Sequence, residues 1–234
     1  MLPLKDNVPT RHFPIVTVLL IAVNAAVWIF YQLPDLDASA RELAYQPCEF
    51  DDSCLPGGAV GEDWPLTSVT SMFMHGDWLH IGGNMLFLWI FGNNVEDTMG
   101  RVKYLVFYLG AGFAATALQT AVTLQTSTPA EGAIPNLGAS GAVSGVLGAY
   151  LLLLPHARVR VLIFMIIIFF PEVPAFLFLG FWFLFQLWEG GVSLTHPEAG
   201  GGVAFFAHIG GFVFGMLLVY VFAAGRRPLR PSHH

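Results

Sequence analysis

Residues 136–155 read NLGASGAVSGVLGAYLLLLP, an uncharged run long enough to cross a membrane, whose first third is almost wholly glycine, alanine and serine. Apolarity alone does not ask for the smallest side chains at one end. Their clustering implies that another backbone must come close there. The rest of the chain is of the same kind. At 55% hydrophobic and 11% charged residues, with a mean hydropathy of +0.64, it is too apolar for an ordinary water-soluble domain of 234 residues. Apolar runs of about 17–25 residues at 14–31, 79–95, 104–124, 137–154, 175–192 and 203–224 predict six membrane helices. The first run lacks a small-residue cleavage pattern and further spans follow, so it reads as a retained helix and not a signal peptide.

The formal charge of −6 says little about partners, because position decides what each charge does. Lys5 and Arg11 precede the first span, Arg101 and Lys103 separate the second from the third, Arg158 and Arg160 follow the fourth, and Arg226, Arg227 and Arg230 follow the sixth. These are nine of the ten basic residues; Arg41, in the loop 32–78, is the exception. The positive-inside rule then puts both termini in the cytoplasm and the loops 32–78, 125–136 and 193–202 outside. The expected organisation is a cytoplasmic segment 1–13, a membrane domain 14–224 that includes the outer loop, and a basic cytoplasmic tail 225–234. The fold class is all-α. The expected setting is a bacterial or archaeal cell membrane, with any active site towards the extracytoplasmic side and no nucleic-acid partner. Between the fourth and fifth spans, VLIFMIIIFF (161–170) is too short to cross and is followed by Pro171, Glu172 and Pro174. It reads as an interfacial or re-entrant segment on the inner side, with the fifth helix starting near Pro174 and Glu172 at the interface.

Depth supplies the functional signal. If the fourth span enters from outside near residue 136, Ser140 lies about one turn in, roughly 6 Å. His208 sits about five residues into the sixth span, His80 at the outer end of the second and Asn84 one turn deeper. A serine is short, so a hydrogen bond of about 2.6–3.2 Å to an imidazole requires two backbones to approach. Ser140, Ser144 and Gly148 share one helical face with Gly141 and Gly145 beside them, while His208, Gly211 and Gly215 share another. The plain alternatives stand beside this. A serine in a glycine-rich membrane helix usually serves packing, and an intramembrane histidine can equally belong to a proton path or bind a metal. Asn24, Gln119 and Gln186 read as interhelical hydrogen-bond partners, and Trp182, Phe183 and Phe185 as lipid-facing or packing residues.

HGDWLHIGGNMLFLWIFGNNVEDTMG (75–100), GASG (138–141) and AHIGG (207–211), in that order and on those spans, resemble the rhomboid family of intramembrane serine proteases. The resemblance implies a six-helix rhomboid-like bundle in which Ser140 is the nucleophile and His208 its general base. His80 and Asn84 would then form an oxyanion hole with the Ser140 N–H, and His75 would support the outer loop. Gly138, Gly141 and Gly211 accompany the motifs. Substrates would be transmembrane proteins entering from the lipid bilayer between the second and fifth helices. Four residues after the nucleophile the family often places an aromatic ring on the histidine; here that position is Ser144, so support for His208 must come from elsewhere.

The chemistry is coherent on its own terms. His208 can take the Ser140 proton during attack on a peptide carbonyl and return it to the leaving amine, while Asn84 and His80 donate to the oxygen that gains charge. No Asp or Glu lies at outer depth within a span, so Asp77, Glu189 and Glu198 reach the site only from loops or helix ends. No cofactor is expected. Cys48 and Cys54 either close a small disulfide loop or remain thiols, and two cysteines alone do not make a metal site. Two other functions compete: a catalytically inactive relative that binds membrane segments, and a transporter whose polar residues line a path.

Overall fold

Each of the six apolar runs contains a helix, and the helices end where proline, glycine or a capping side chain stops the backbone ladder. In this computed structural model, residues 2–51, 53–54, 64–126, 128–164, 168–195, 204–225, 229 and 231 are described; Glu198, Arg226, Arg227 and Arg230 lie outside them. Strand β1 (Leu2–Asp6) leads to α1 (Ile15–Gln32), which follows Pro14 and whose last six residues, Val27–Gln32, are wound as a π-helix. The segment between α1 and the next long helix carries α2 (Leu36–Leu43), whose Ala38 N–H donates to the Asp35 cap, and α3 (Trp64–Thr70). Helix α4 (Trp78–Met99) is continuous, with a π-helical stretch at Leu88–Gly92, and stops at Gly100, whose φ is +81°. After it come α5 (Arg101–Thr126), α6 (Ser140–Leu153), strands β2 (Arg158–Phe164), β3 (Ile168–Phe169) and β4 (Glu172–Pro174), then α7 (Ala175–Thr195) and α8 (Phe205–Ala223).

The chain is mostly helical, and four helices, α1, α5, α7 and α8, are long and apolar enough to cross a membrane. The two expected spans that fall short do so for physical reasons. Helix α4 carries His80, Asn84, Asn93 and Asn94, which lower its hydropathy. Helix α6 has only 14 residues, because Gly138 adopts a φ of +124° and turns the chain before the helix begins. Ser140 is therefore the first residue of α6, where the sequence placed it one turn inside. At about 1.5 Å per residue, α6 covers roughly 21 Å, short of a ~30 Å hydrocarbon core.

The expectation of an all-α fold is corrected by a small antiparallel sheet. β2 pairs with β1 in the register Leu2↔Leu162 to Asp6↔Val159, with β3 through Ile163↔Phe169, and with β4 through Arg158↔Pro174 to Arg160↔Glu172. The apolar segment after α6 is rich in Val, Ile and Phe, which suit a pleated half-buried surface. Arg160 and Glu172 meet at 2.7 Å across two of its strands. Residues 2–6 are thus built into the body of the protein. Asp6 accepts from the Tyr150 hydroxyl of α6 and from Asn94 Nδ2 of α4 at 2.6 Å. On the same side, Glu96 of α4 accepts from the Val16 and Thr17 N–H groups at 3.0 and 2.8 Å, capping α1 with a carboxylate where the helix dipole favours one.

Helix α8 packs against both α5 and α6. A methyl placed on Gly211 would overlap the Gly141 carbonyl, and one on Gly215 the Gly145 carbonyl. The small residues of α6 and α8 thus bring two backbones into contact, which no larger side chain permits. On the other face of α8, a Cβ at Gly210 would lie 2.9 Å from the Ala114 carbonyl of α5. Gln119 of α5 accepts from the Ala207 N–H at 3.2 Å, an interhelical bond of the kind expected. Asn24 behaves differently from expectation, since its Nδ2 donates to Leu20 O within its own helix.

Candidate active site

The starts of α4, α6 and α8 converge on a cavity of about 650 Å³, lined among others by His80, Asn84, Ser140, His208 and, from α7, Trp182. The turn ahead of Ser140 is held by the segment between α1 and α4. Asn136 N–H donates to Tyr45 O at 2.7 Å and Gly138 N–H to Ser71 O at 2.9 Å, while the Tyr45 hydroxyl is tied to Thr120 of α5 at 2.9 Å. Cys48 and Cys54 are joined by a disulfide in this same segment, and a Cβ at Gly132 would touch Cys48 at 3.6 Å. Being first in α6, Ser140 has a backbone N–H with no partner in the preceding turn of helix.

His80 is fixed at both ends. Its backbone N–H donates to Asp77 Oδ1 at 2.8 Å, and its Nδ1 accepts from the Gly76 N–H at 3.3 Å. An accepting Nδ1 leaves the ring proton on Nε2. That nitrogen faces the turn before Ser140: a Cβ at Gly138 would lie 2.6 Å from His80 Nε2 and 3.6 Å from Ser140 Oγ. Behind it, His75 stands edge-on to His80 at 5.0 Å and is clamped to Gln32 through its backbone, by N–H to Oε1 at 2.8 Å and O to Nε2 at 2.9 Å. Burial, with His80 beside it, pushes the His75 imidazole down to about 3, so it is neutral. Asp77, exposed and receiving backbone N–H groups at the start of α4, is held below the usual carboxylate range.

Asn84 lies one turn deeper on α4. It is buried, and its Nδ2 has no partner among the described residues. An unpaired buried donor typically costs about 1–3 kcal/mol, and natural proteins keep few of them without a use.

His208, the fourth residue of α8, has its Nδ1 2.7 Å from Gln186 Oε1 of α7. A carbonyl oxygen can only accept, so Nδ1 carries the proton and Nε2 presents its lone pair. Trp182, one turn earlier on α7, tilts over the His208 ring at 5.9 Å. Ser144 offers the ring nothing, since its hydroxyl donates back to Ser140 O at 2.6 Å. Ser140 Oγ and His208 line the same cavity without a hydrogen bond between them, a spacing common where such bonds tighten only around substrate. Among the described residues, no cluster of three His, Cys, Asp or Glu side chains could hold a metal ion.

Ser140, His208, His80 and Asn84 are thus brought together, with Gly138, Gly141 and Gly211 making the close approaches around them and His75 one layer behind. Cys48 and Cys54 stand apart from the cavity lining. The sequence reading missed Gln186 and Trp182 as neighbours of His208. Their signal was indirect: Ser144 in place of an aromatic left His208 without support, and Trp182 and Gln186 are spaced i, i+4 on the facing helix.

A family model described as the Rhomboid domain matches residues 62–225. Rhomboid protein 1, mitochondrial, of Saccharomyces cerevisiae is 27% identical over 203 residues, 85% of this chain and 50% of its own. YdcA, a rhomboid protein of Bacillus subtilis, is 30% identical over 144 residues, 60% of this chain and 63% of its own. The presenilin-associated rhomboid-like protein, mitochondrial, of Bos taurus is 26% identical over 204 residues, 84% of this chain and 46% of its own. The chain therefore spans about half to two thirds of the length of these relatives. Two of these relatives, which match 85% and 84% of the chain, are named mitochondrial, which corrects the expectation of a bacterial or archaeal cell membrane. With most of its length inside the family model and its motifs on the helices that build one cavity, this chain belongs to the rhomboid family.

Proposed function

We propose that the chain is an intramembrane serine endopeptidase that cuts transmembrane protein substrates in or near the membrane end opposite its termini. Six helices, α1 and α4 to α8, would cross the bilayer, with both termini on the side that carries nine of the ten basic residues. Substrate would enter sideways between α4 and α7. One observation carries the proposal: a single cavity gathers the Ser140 hydroxyl, the His208 ring with its Nε2 unprotonated, His80 Nε2–H, and Asn84 Nδ2, a donor with no partner among the described residues.

From those positions the steps follow. His208 Nε2 takes the Ser140 proton as Oγ attacks the scissile carbonyl carbon, and the negative charge that builds on the carbonyl oxygen is met by Asn84, His80 and the Ser140 N–H. The protonated imidazole gives its proton to the leaving amine, and water then repeats the cycle on the acyl-serine. The first turn of α6 favours negative charge there, because helix N-termini carry partial positive charge.

The test is cleavage of a single-span protein by the purified, bilayer-reconstituted chain. Cleavage by the wild type that survives metal chelators and vanishes in Ser140→Ala is expected. Cleavage that persists in Ser140→Ala would exclude the serine mechanism. Binding of the span without any cleavage by the wild type would favour the inactive relative.

A further inference from the structure

We infer that Gln186 of α7 is the positioning residue for His208, holding through its side-chain carbonyl the imidazole tautomer that leaves Nε2 free. The inference rests on the proposed protease reading and adds to it a third group, carried by neither helix of the proposed dyad. The Nδ1 to Oε1 separation of 2.7 Å is at the short end for an N–H···O bond, and Gln186 is only 5% exposed, so lipid and water do not compete for it. Were Nδ1 unprotonated, the ring proton would sit on Nε2, and no base would face Ser140. In histidine sites the group bonded to the far nitrogen decides which nitrogen is protonated.

An amide suits this place better than a carboxylate would. It accepts the same hydrogen bond and fixes the same tautomer, yet it adds no charge to a site with membrane on one side, where an extra buried charge is expensive. Neither Ser144 nor Asp77 takes this place: Ser144 donates to Ser140 O, and Asp77 accepts from His80 N–H at the start of α4. Trp182 lies tilted beside the His208 ring while Gln186 bonds its Nδ1, both from α7.

The experiment compares wild type, Gln186→Leu, Gln186→Met and Gln186→Glu, each reconstituted in bilayers with histidine labelled in its ring nitrogens. Two quantities are read: the ring-nitrogen chemical shifts of His208, which report the tautomer, and kcat and KM on a single-span substrate. The wild type is expected to show Nδ1 protonated and Nε2 bare. Leu and Met, which remove the acceptor at similar size, are expected to lose that tautomer and to lower kcat about 10²-fold with KM within twofold. Glu, which keeps the acceptor, is expected to retain the tautomer and most of the turnover. An unchanged His208 tautomer in Gln186→Leu or Gln186→Met would overturn the inference, whatever the activity. So would a raised KM with wild-type kcat, which would make Gln186 a substrate contact. A wild type with the expected tautomer but no cleavage would instead sink the protease reading and leave the positioning intact.

Discussion

Gly138 has no substitute among the twenty residues. Its φ of +124° is closed to L side chains, and the space where a Cβ would stand is taken by His80 Nε2 at 2.6 Å. Gly138→Ala would strain the turn that starts α6 and push His80 away from Ser140. A shift of about 1 Å between reacting groups costs on the order of 10² in rate, so cleavage is expected to fall by about that factor while the protein still inserts. Wild-type turnover in Gly138→Ala would mean that His80 need not approach this turn. Asn84→Ala removes one donor and leaves His80 and the Ser140 N–H; a loss of about 10²–10³ in kcat is expected, against complete loss in Ser140→Ala or His208→Ala. That Ser140, His208, His80 and Asn84 share one cavity was legible in sequence because each is a polar residue near the same end of an apolar run. Gln186 was legible as an interhelical hydrogen-bond partner, but not as the partner of His208, because that depends on which side chain faces it across the gap between α7 and α8, and spacing along one chain does not contain that.

Between α6 and α8 the contact is backbone to backbone. Gly211→Leu would drive a side chain into the Gly141 carbonyl, at a typical cost of about 1–3 kcal/mol, and separate Ser140 from His208. Activity is expected to collapse in Gly211→Leu and to survive in Val221→Leu, whose site is 66% exposed. Val219, two residues earlier, is fully buried and makes no such control. Nothing in the sequence separates the two valines, because a helix that is apolar all round hides which face meets protein and which meets lipid. The same ambiguity concealed the sheet. A short Val- and Ile-rich run reads equally as a buried helix or as a strand until its partner, residues 2–6, is known.

The sheet also brings a titrating group against the ends of α4 and α6. Burial raises the Asp6 carboxyl from 3.8 to about 6, against the opposing hydrogen bonds from Tyr150, Val8 N–H and Asn94. A carboxyl whose folded pKa is raised gives stability that is fully present below its unfolded value and lost as pH rises through about 6. The unfolding temperature in detergent is therefore expected to drop between about pH 4 and pH 7 in the wild type, and to drop less in Asp6→Asn. An identical slope in Asp6→Asn would assign the dependence to another group.

For the whole molecule, orientation decides which side of the membrane the cavity faces. The nine clustered basic residues predict that loop 125–136 and the turn after α6 lie on opposite sides. The chain's two cysteines are bonded to each other, so an introduced thiol has no native competitor. In sealed vesicles of uniform orientation, exposed Ile134→Cys and His156→Cys are expected to differ, one reacting with an impermeant maleimide and the other only after permeabilisation. Equal labelling of both would break the six-span arrangement. Span count was legible from length and hydropathy for α1, α5, α7 and α8. The sequence reading also counts α4 and α6 as spans, but polar residues lower the hydropathy of α4 and the glycine turn shortens α6, so neither is both long and apolar enough to cross by those measures alone.

The central claim is that Ser140 is a nucleophile made reactive by His208. It is tested most directly by treating the reconstituted protein with a fluorophosphonate, which phosphonylates activated serines, and locating the adduct by mass spectrometry. A single adduct on Ser140, absent in His208→Ala and slowed in Gln186→Leu, is the expected result. An adduct on Ser144, or one on Ser140 that forms as fast in His208→Ala as in the wild type, would contradict it.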